Sequence, residues 1–316
     1  MRILRKFLTG PRRALLAGVA GAAALTLAAC GANSNPMADP TAGEAPAGGE
    51  VVVGSANFTE SAIIAELYAG AMRGAGVNAS TRTNIGSREI YIGALRDGSV
   101  SMVPEYTGNL LEYLDPESGA KDREDVDRDL PKVAEEQSLK VLDQSKAANQ
   151  DVYVVTQQTA QESGVRSLAD LAGKSDRWVL GGPGELADRP YGPKGLEDVY
   201  DAKFGEFRAY DALAVKVKDM NDGKVQVADF FSTDSAIADN NYVVLEDPAG
   251  LILPQNVVPL TRADFTDDAA ITAVNKLQQQ LTTEDLQALN AQVDNDHLNP
   301  DQVAADYLQS KGLGGS

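Results

Sequence analysis

Two segments of the chain align on each other without a gap. DGSVSMVPEYTGN spans Asp97 to Asn109, and DGKVQVADFFSTD spans Asp222 to Asp234. Asp97 and Gly98 fall on Asp222 and Gly223, Val100 and Met102 on Val225 and Val227, Tyr106 on Phe231, and Thr107 on Ser232. VVVGS (Val51–Ser55) likewise resembles WVLGG (Trp178–Gly182). Each copy holds an apolar, β-branched run of the kind that forms a strand buried on both faces. A repeat of this type implies two lobes built on one plan.

The pattern around the repeat specifies the class of fold. Strands are expected within 50–58, 78–86, 99–106, 139–144, 151–157, 177–185, 224–231, 242–248 and 256–262. Helical spacing separates them, as in TESAIIAELYAGAMRGAG, where Ile63, Ile64, Leu67, Tyr68 and Met72 share one face and Thr59 is placed to cap the N-terminus. Helices are also expected from Asp268 to Leu308. Alternating strands and helices give an α/β fold with mostly parallel sheets. The second lobe is expected to be inserted into the first: residues 50–148 plus 251–316 form lobe I, 149–250 form lobe II, and the hinge lies near Asn149 and Pro248. Ligands in such sheets bind beyond the strand C-termini, so the lobes face each other across a crevice.

The first 30 residues belong to export rather than to the fold. Arg2, Arg5, Lys6, Arg12 and Arg13 precede the apolar ALLAGVAGAAALTLAA, which ends at Cys30, the only cysteine. A basic region, a short apolar core and small residues before a cut make a signal peptide. LAAC resembles a bacterial lipobox, which implies cleavage after residue 29 and a lipid on Cys30; Arg12-Arg13 would also suit a twin-arginine signal. Residues 30–49, rich in Gly, Pro and Ala, read as a flexible tether. The expected location is the outer face of the cell membrane.

Charge and composition then remove whole classes of function. The five basic residues of the export segment, taken from 28 Lys and Arg, leave 23 against 46 Asp and Glu, a net charge near −23. That charge disfavours nucleic acids and anionic membrane surfaces as partners. With Cys30 lipidated there is no disulfide or thiol chemistry, and a single histidine, His297, excludes a histidine-built zinc site. His297 lies in the polar VDNDHLNPD, a poor setting for a Ser-His-Asp triad. No G-x-S-x-G elbow or P-loop is present, so no enzymatic activity, cofactor or metal is expected.

The repeat places Tyr106 and Phe231 at the ends of equivalent strands, each followed by a hydroxyl residue, Thr107 or Ser232. Paired rings on opposite walls suit a quaternary ammonium, whose methyls donate no conventional hydrogen bond but are attracted to ring faces. Tyr191, in the turn RPYGP, is a further ring candidate, whereas Phe58 reads as core. In the short run Ser101–Gly108, Ser101–Val103 is expected to be strand, Pro104 to end its pairing, and Glu105 to be structural.

NFTES, NIGSREIYIGAL, PEYTGNLL, SLADLAG, FFSTDSAI and the C-terminal QVDNDHLNPDQVAADYLQSKGL resemble the OpuC/ProX-type substrate-binding proteins of ABC transporters over about Glu50–Leu313. The resemblance implies a type II periplasmic-binding-protein fold, hinge closure, and capture of an osmoprotectant such as glycine betaine, carnitine, choline or proline betaine for delivery to a permease. It places the family's cage tyrosine of PEYTG on Tyr106 and that of YSTD on Phe231. Ser61 stands where the family often has a glutamine for the ligand's polar end, and Ser87 is a candidate hydroxyl donor. Asp151 falls on a polar hinge-strand position. Arg189 either steadies its loop or faces a ligand carboxylate. Asn57 and Thr233 complete the implied ligand set. Phe231 lacks the family hydroxyl and Ser61 is short, so the sequence leaves the choice among these amines open. The alternative is a binding protein of the same fold for an amino acid, a polyamine or an aromatic compound. A monomer is expected.

Overall fold

The structure, a computed structural model, describes residues 49–314. The export segment, the Cys30 anchor and nearly all of the tether lie outside the described residues.

Ten strands form two five-stranded sheets. They are β1 (Val51–Ala56), β2 (Ala79–Gly86), β3 (Met102–Tyr106), β4 (Leu139–Val141), β5 (Asp151–Val155), β6 (Val179–Gly182), β7 (Glu206–Ala209), β8 (Val227–Phe231), β9 (Val243–Val244) and β10 (Val257–Arg262). The first sheet has the order β2-β1-β3-β10-β4 and the second β7-β6-β8-β5-β9. The pairings match position by position. The two pairings on one side of each sheet are parallel, and the other two are antiparallel. The repeat read from the sequence is therefore a topological repeat, with Tyr106 ending the middle strand of one sheet and Phe231 that of the other.

The sheets are mixed rather than mostly parallel. The strand next to the middle of each sheet, β10 or β5, has just crossed from the other sheet, so it enters from the opposite end and pairs antiparallel. The two crossing segments also pair with each other. Ala148 bridges Asn256, Asn149 N donates to Gln255 O at 3.0 Å, and Val257 N donates to Ala147 O at 3.0 Å. Ile252 packs in the core of the second sheet and Leu253 in that of the first.

Each sheet is covered on both faces. Val51 and Val53 pack on one side of β1 and Val52 on the other, the alternation that a pleated strand requires. One face of the first sheet is covered by helices α1 (Thr59–Gly74), α9 (Asp268–Gln278), α10 (Thr283–Asp294) and α11 (Pro300–Ser310). The other is covered by α2 (Arg88–Arg96), α3 (Thr107–Leu114) and α4 (Arg123–Glu136). On the second sheet α5 (Gln157–Ser163) and α6 (Pro193–Tyr200) lie on one side, with α7 (Leu213–Asn221) and α8 (Ser235–Asp239) on the other.

The repeated glycines have a packing reason. A Cβ on Gly54 would sit 3.1 Å from Val100 Cγ1, and one on Gly181 would sit 3.1 Å from Val225 Cγ1. Val100 and Val225 are themselves equivalent in the repeat. Each lobe thus presses the same valine against the same glycine.

Two local expectations change. Strand β3 runs through Pro104 to Tyr106, with Pro104 opposite Pro259 on β10. Antiparallel ladders alternate hydrogen-bonded and non-hydrogen-bonded pairs. Thr107 N donates to Asn256 O (3.0 Å), which puts the proline pair at a non-hydrogen-bonded position, so the β3–β10 ladder needs neither missing N–H. At α1 the cap position is Phe58, in extended backbone, and Thr59 is the first helical residue. The Thr59 hydroxyl donates instead to Asp294 Oδ1 at 2.7 Å.

Candidate functional site

Strands β1, β3, β6 and β8 all end at the space between the two sheets. Tyr106 passes directly into α3 and Phe58 directly into α1, so neither ring can retreat into a long loop. The Phe58 ring stands between the two expected rings. Its centroid is 6.2 Å from Tyr106 and 4.9 Å from Phe231, tilted 32° and 39°. Tyr106 and Phe231 approach from opposite walls as the repeat implied, with Phe58 between them and packed against both apolar clusters of the first sheet.

The Phe58–Phe231 pair borders two chambers. The smaller, about 60 Å³, is lined by Phe58, Tyr91, Tyr106, Tyr191 and Phe231, with Arg88, Arg189, Asp151 and Glu185. Asn57, Ser61 and Ser87 also line it. The larger, about 360 Å³, adjoins it and shares Asn57, Phe58, Pro183, Glu185 and Phe231 with it. Of the residues singled out in the sequence, eight therefore meet at the smaller chamber.

The other three lie behind it. Thr107 accepts from Asn256 N (3.1 Å) and donates to Pro254 O (3.0 Å), fastening a crossing segment. Ser232 accepts from Gln150 N (2.9 Å) and donates to Asn149 Oδ1 (3.3 Å), fastening the other. Thr233 donates to Glu60 Oε2 at 2.5 Å. Thr107 and Ser232 thus bind the backbone of the crossing segments, whereas Thr233 binds the Glu60 carboxylate.

Glu60 was not singled out from sequence, yet it is the most connected side chain here. Its Oε1 accepts from the Tyr106 hydroxyl (2.6 Å) and Asn149 Nδ2 (2.8 Å). Its Oε2 accepts from Thr233 Oγ1 and from Asn290 Nδ2 (2.8 Å). Donors from both sheets, from a crossing segment and from α10 thus meet on one carboxylate that is 3% exposed. Burial and Glu60 push the Tyr106 hydroxyl well above the usual phenol range, so it stays a donor.

Glu105 is structural, as expected. Arg88 Nε and Nη2 donate to it at 2.9 and 3.0 Å, Tyr91 OH at 2.7 Å and Tyr106 N at 3.1 Å. Among the described residues Arg88 Nη1 makes no hydrogen bond, and Arg88 borders the smaller chamber. Asp151, opposite Phe231 in the β5–β8 register, accepts from Asn109 Nδ2 at 2.9 Å. Burial raises its pKa, while hydrogen bonds and Arg88 oppose the rise. Ser61 is occupied: its Oγ accepts from Ala56 N at 2.9 Å. Ser87 donates to Glu89 at 2.7 Å, and Glu89 pairs with Arg189 at 2.8 Å across the cleft.

Rings and two guanidinium groups thus border the same small chamber. His297 is exposed, in left-handed backbone (φ 58°) between α10 and α11. Among the described residues no group of His, Cys, Asp and Glu is arranged to hold a metal ion, and no helix is long and apolar enough to cross a membrane.

Residues 49–310 match the model of the OpuAC family, the substrate-binding domain of ABC-type glycine betaine transport systems. The chain belongs to this family. As a family member it is similar to the glycine betaine-binding protein YehZ of Escherichia coli, at 26% identity over 276 residues that cover 83% of this chain and 90% of the relative. A glycine-betaine-binding protein of Pseudomonas aeruginosa is 26% identical over 274 residues, 83% of this chain and 88% of that one. A crystal structure described as a glycine betaine/carnitine/choline ABC transporter superposes with a TM-score of 0.67, at 24% identity over 83% of this chain and 99% of the other. The two mixed sheets of the OpuAC member are thus the type II binding-protein fold, and its role is that of an ABC transporter's substrate-binding component.

Signals for the residues missed from sequence were faint. Glu60 sits inside NFTES, where an acid at a helix N-terminus is ordinarily explained by the helix dipole. Asn149 was singled out only as a hinge position and Asn290 gave no signal, because the carboxylate that their amides meet is distant in the chain.

Proposed function

We propose that the protein captures a quaternary-ammonium osmoprotectant in the smaller chamber and delivers it to a membrane permease. The observation that carries this reading is the set of five rings, Phe58, Tyr91, Tyr106, Tyr191 and Phe231, around one small chamber between the sheets. A trimethylammonium group has no N–H to offer, so hydrogen-bonding acceptors alone cannot select it. Ring faces attract it electrostatically and cover its methyls. Arg88 Nη1, and Arg189 at the rim, suit a ligand carboxylate at the other end. The family relatives that bind glycine betaine support the same choice.

Residues 50–148 with 251–316 act as one lobe and 149–250 as the other. They hinge where Ala148–Asn149 pairs with Gln255–Asn256, and closure brings the two walls onto the ligand. The protein works outside the cytoplasmic membrane as a monomer, held by a lipid on Cys30, and performs no catalysis.

Calorimetric titration with glycine betaine, choline, carnitine and proline betaine tests the reading. At least one should bind with a 1:1 stoichiometry. Silence from all four with folded protein would overturn it.

A further inference from the structure

Four charged side chains border the ring-lined chamber: Arg88, Arg189, Asp151 and Glu185. Each guanidinium already holds a carboxylate of the protein. Arg88 pairs with Glu105 at 2.9 Å, and Arg189 with Glu89 at 2.8 Å. The two acids have no such partner: among the described residues neither Asp151 nor Glu185 forms an ion pair. Counted with their partners, the groups around the chamber therefore carry a net negative charge.

Asp151 is the acid that the fold holds in place. It is 5% exposed and stands opposite Phe231 in the β5–β8 register. Asn109, on α3, also borders the chamber and donates from Nδ2 to Asp151 Oδ2 at 2.9 Å. Gln255, on a crossing segment, settles the orientation of that amide. Its Nε2 donates to Asn109 Oδ1 at 2.6 Å, and its Oε1 accepts from Asn109 N at 2.9 Å. Asn109 therefore turns its N–H donors to Asp151, and a fixed donor favours an ionised carboxylate.

Burial raises the pKa of Asp151, and the bond from Asn109, the charge of Arg88 and the contact with Tyr191 oppose the rise. A ligand cation beside the carboxylate acts in the same direction as these three. Burying a carboxylate without a counter-ion is costly, so the chamber is best completed by a ligand that brings a whole positive charge. A zwitterion brings that charge together with a carboxylate of its own. The ligand carboxylate would then share Arg88 or Arg189 with the protein carboxylate that each already holds.

We infer that Asp151 is a specificity-determining residue, that Asn109 positions it, and that the ring-lined chamber favours quaternary amines of net positive charge, such as choline, over zwitterionic betaines. The inference rests on the capture of a quaternary amine in this chamber and narrows the class of ligand. The rings act on the methylated ammonium that all these ligands share. The Asp151 charge separates them by what the rest of the ligand carries.

The test is calorimetric titration of the protein with choline and with glycine betaine, read as the ratio of the two dissociation constants. Wild type should bind choline about tenfold more tightly. Asp151→Asn, which keeps the shape and removes the charge, should bring the two affinities within about threefold of each other, mainly by weakening choline. Asn109→Ala should reduce the preference by about threefold. A merely structural loss weakens both ligands together and leaves the ratio unmoved. Circular dichroism and a cooperative thermal melt verify folding, and the wild-type ratio with Asn109→Ala carries the test if Asp151→Asn does not fold. Equal affinities or a preference for glycine betaine in wild type, or an unchanged ratio in folded Asp151→Asn, would overturn the inference. An unchanged ratio in Asn109→Ala would remove the positioning role. Silence from choline overturns the inference whatever glycine betaine does, whereas the quaternary-amine reading falls only if glycine betaine, carnitine and proline betaine are silent as well.

Discussion

The Tyr106 hydroxyl donates to Glu60 Oε1 at 2.6 Å, and the opposite oxygen of the same carboxylate accepts from Thr233 of the other half. The Tyr106 ring and the bond between the halves therefore share one side chain. Under the proposed function, closure and cage assembly are coupled through Glu60.

Glu60→Ala should destabilise the protein by about 3–5 kcal/mol, the cost expected when one member of a buried, charge-assisted network is removed. It leaves the Tyr106 hydroxyl, the Asn149 amide and the Thr233 hydroxyl without an acceptor, and the Asn290 amide with only its contacts to Thr233. Denaturant unfolding at neutral pH measures it, and a loss below 1 kcal/mol would contradict the central role given to this carboxylate.

Tyr106→Phe and Tyr106→Ala separate the ring from its hydroxyl. The Phe variant keeps the ring and should keep most of the quaternary-amine affinity while losing about 1–2 kcal/mol of stability with the bond to Glu60. The Ala variant should lose about 2 kcal/mol of binding, close to 30-fold. Phe231→Ala should behave like the latter. Titration of all three with the best osmoprotectant reads the difference; equal affinity in wild type and Tyr106→Ala would remove this ring from the ligand.

Glu105→Ala should be about as damaging as Glu60→Ala. Arg88 is 8% exposed and would be left as a buried guanidinium without its bidentate partner. Replacing both, as Arg88→Met with Glu105→Leu, should restore much of the stability while reducing affinity for any ligand carrying a carboxylate. Choline, which has none, should be affected less. Unfolding and titration of the single and double variants test both statements.

Glu112 supplies a pH dependence. Burial first, and then Asp151, push its carboxyl up to about 7 from 4.5. An acid whose pKa is raised by folding holds its proton more tightly in the folded state. Its relative contribution is full below pH 4.5, declines between pH 4.5 and 7, and is lost above 7. Glu112→Gln should therefore match wild type at pH 4 and exceed it at pH 8 by on the order of 2 kcal/mol. Thermal melts across that range check the sign, and a difference that grows on acidification would contradict it.

Much of the fold was legible in the chain because it depends on local pattern. The repeat of Asp97–Asn109 in Asp222–Asp234 survives as two middle strands with the same neighbours, and the Gly54–Val100 contact recurs as Gly181–Val225. Tyr106, Phe231 and Tyr191 were read from strand ends and turns, and Arg189 from the family resemblance; all four line one chamber. Phe58 packs against the core, as its place before an apolar helix suggests, and only the second lobe packed opposite it makes the same ring border the chamber.

Sequence by itself determined the two-lobe α/β plan, the acidic charge, and the rings at equivalent strand ends, since periodicity and repetition are properties of neighbouring residues. Tertiary structure alone decided the antiparallel middle of each sheet, the proline pair on β3 and β10, and the meeting of Tyr106, Asn149, Thr233 and Asn290 on Glu60. These depend on which distant segments pack together. The physical reason is the cost of burying a charge: a carboxylate becomes the centre of a lobe contact only once folding has removed its water and supplied donors from elsewhere in the chain.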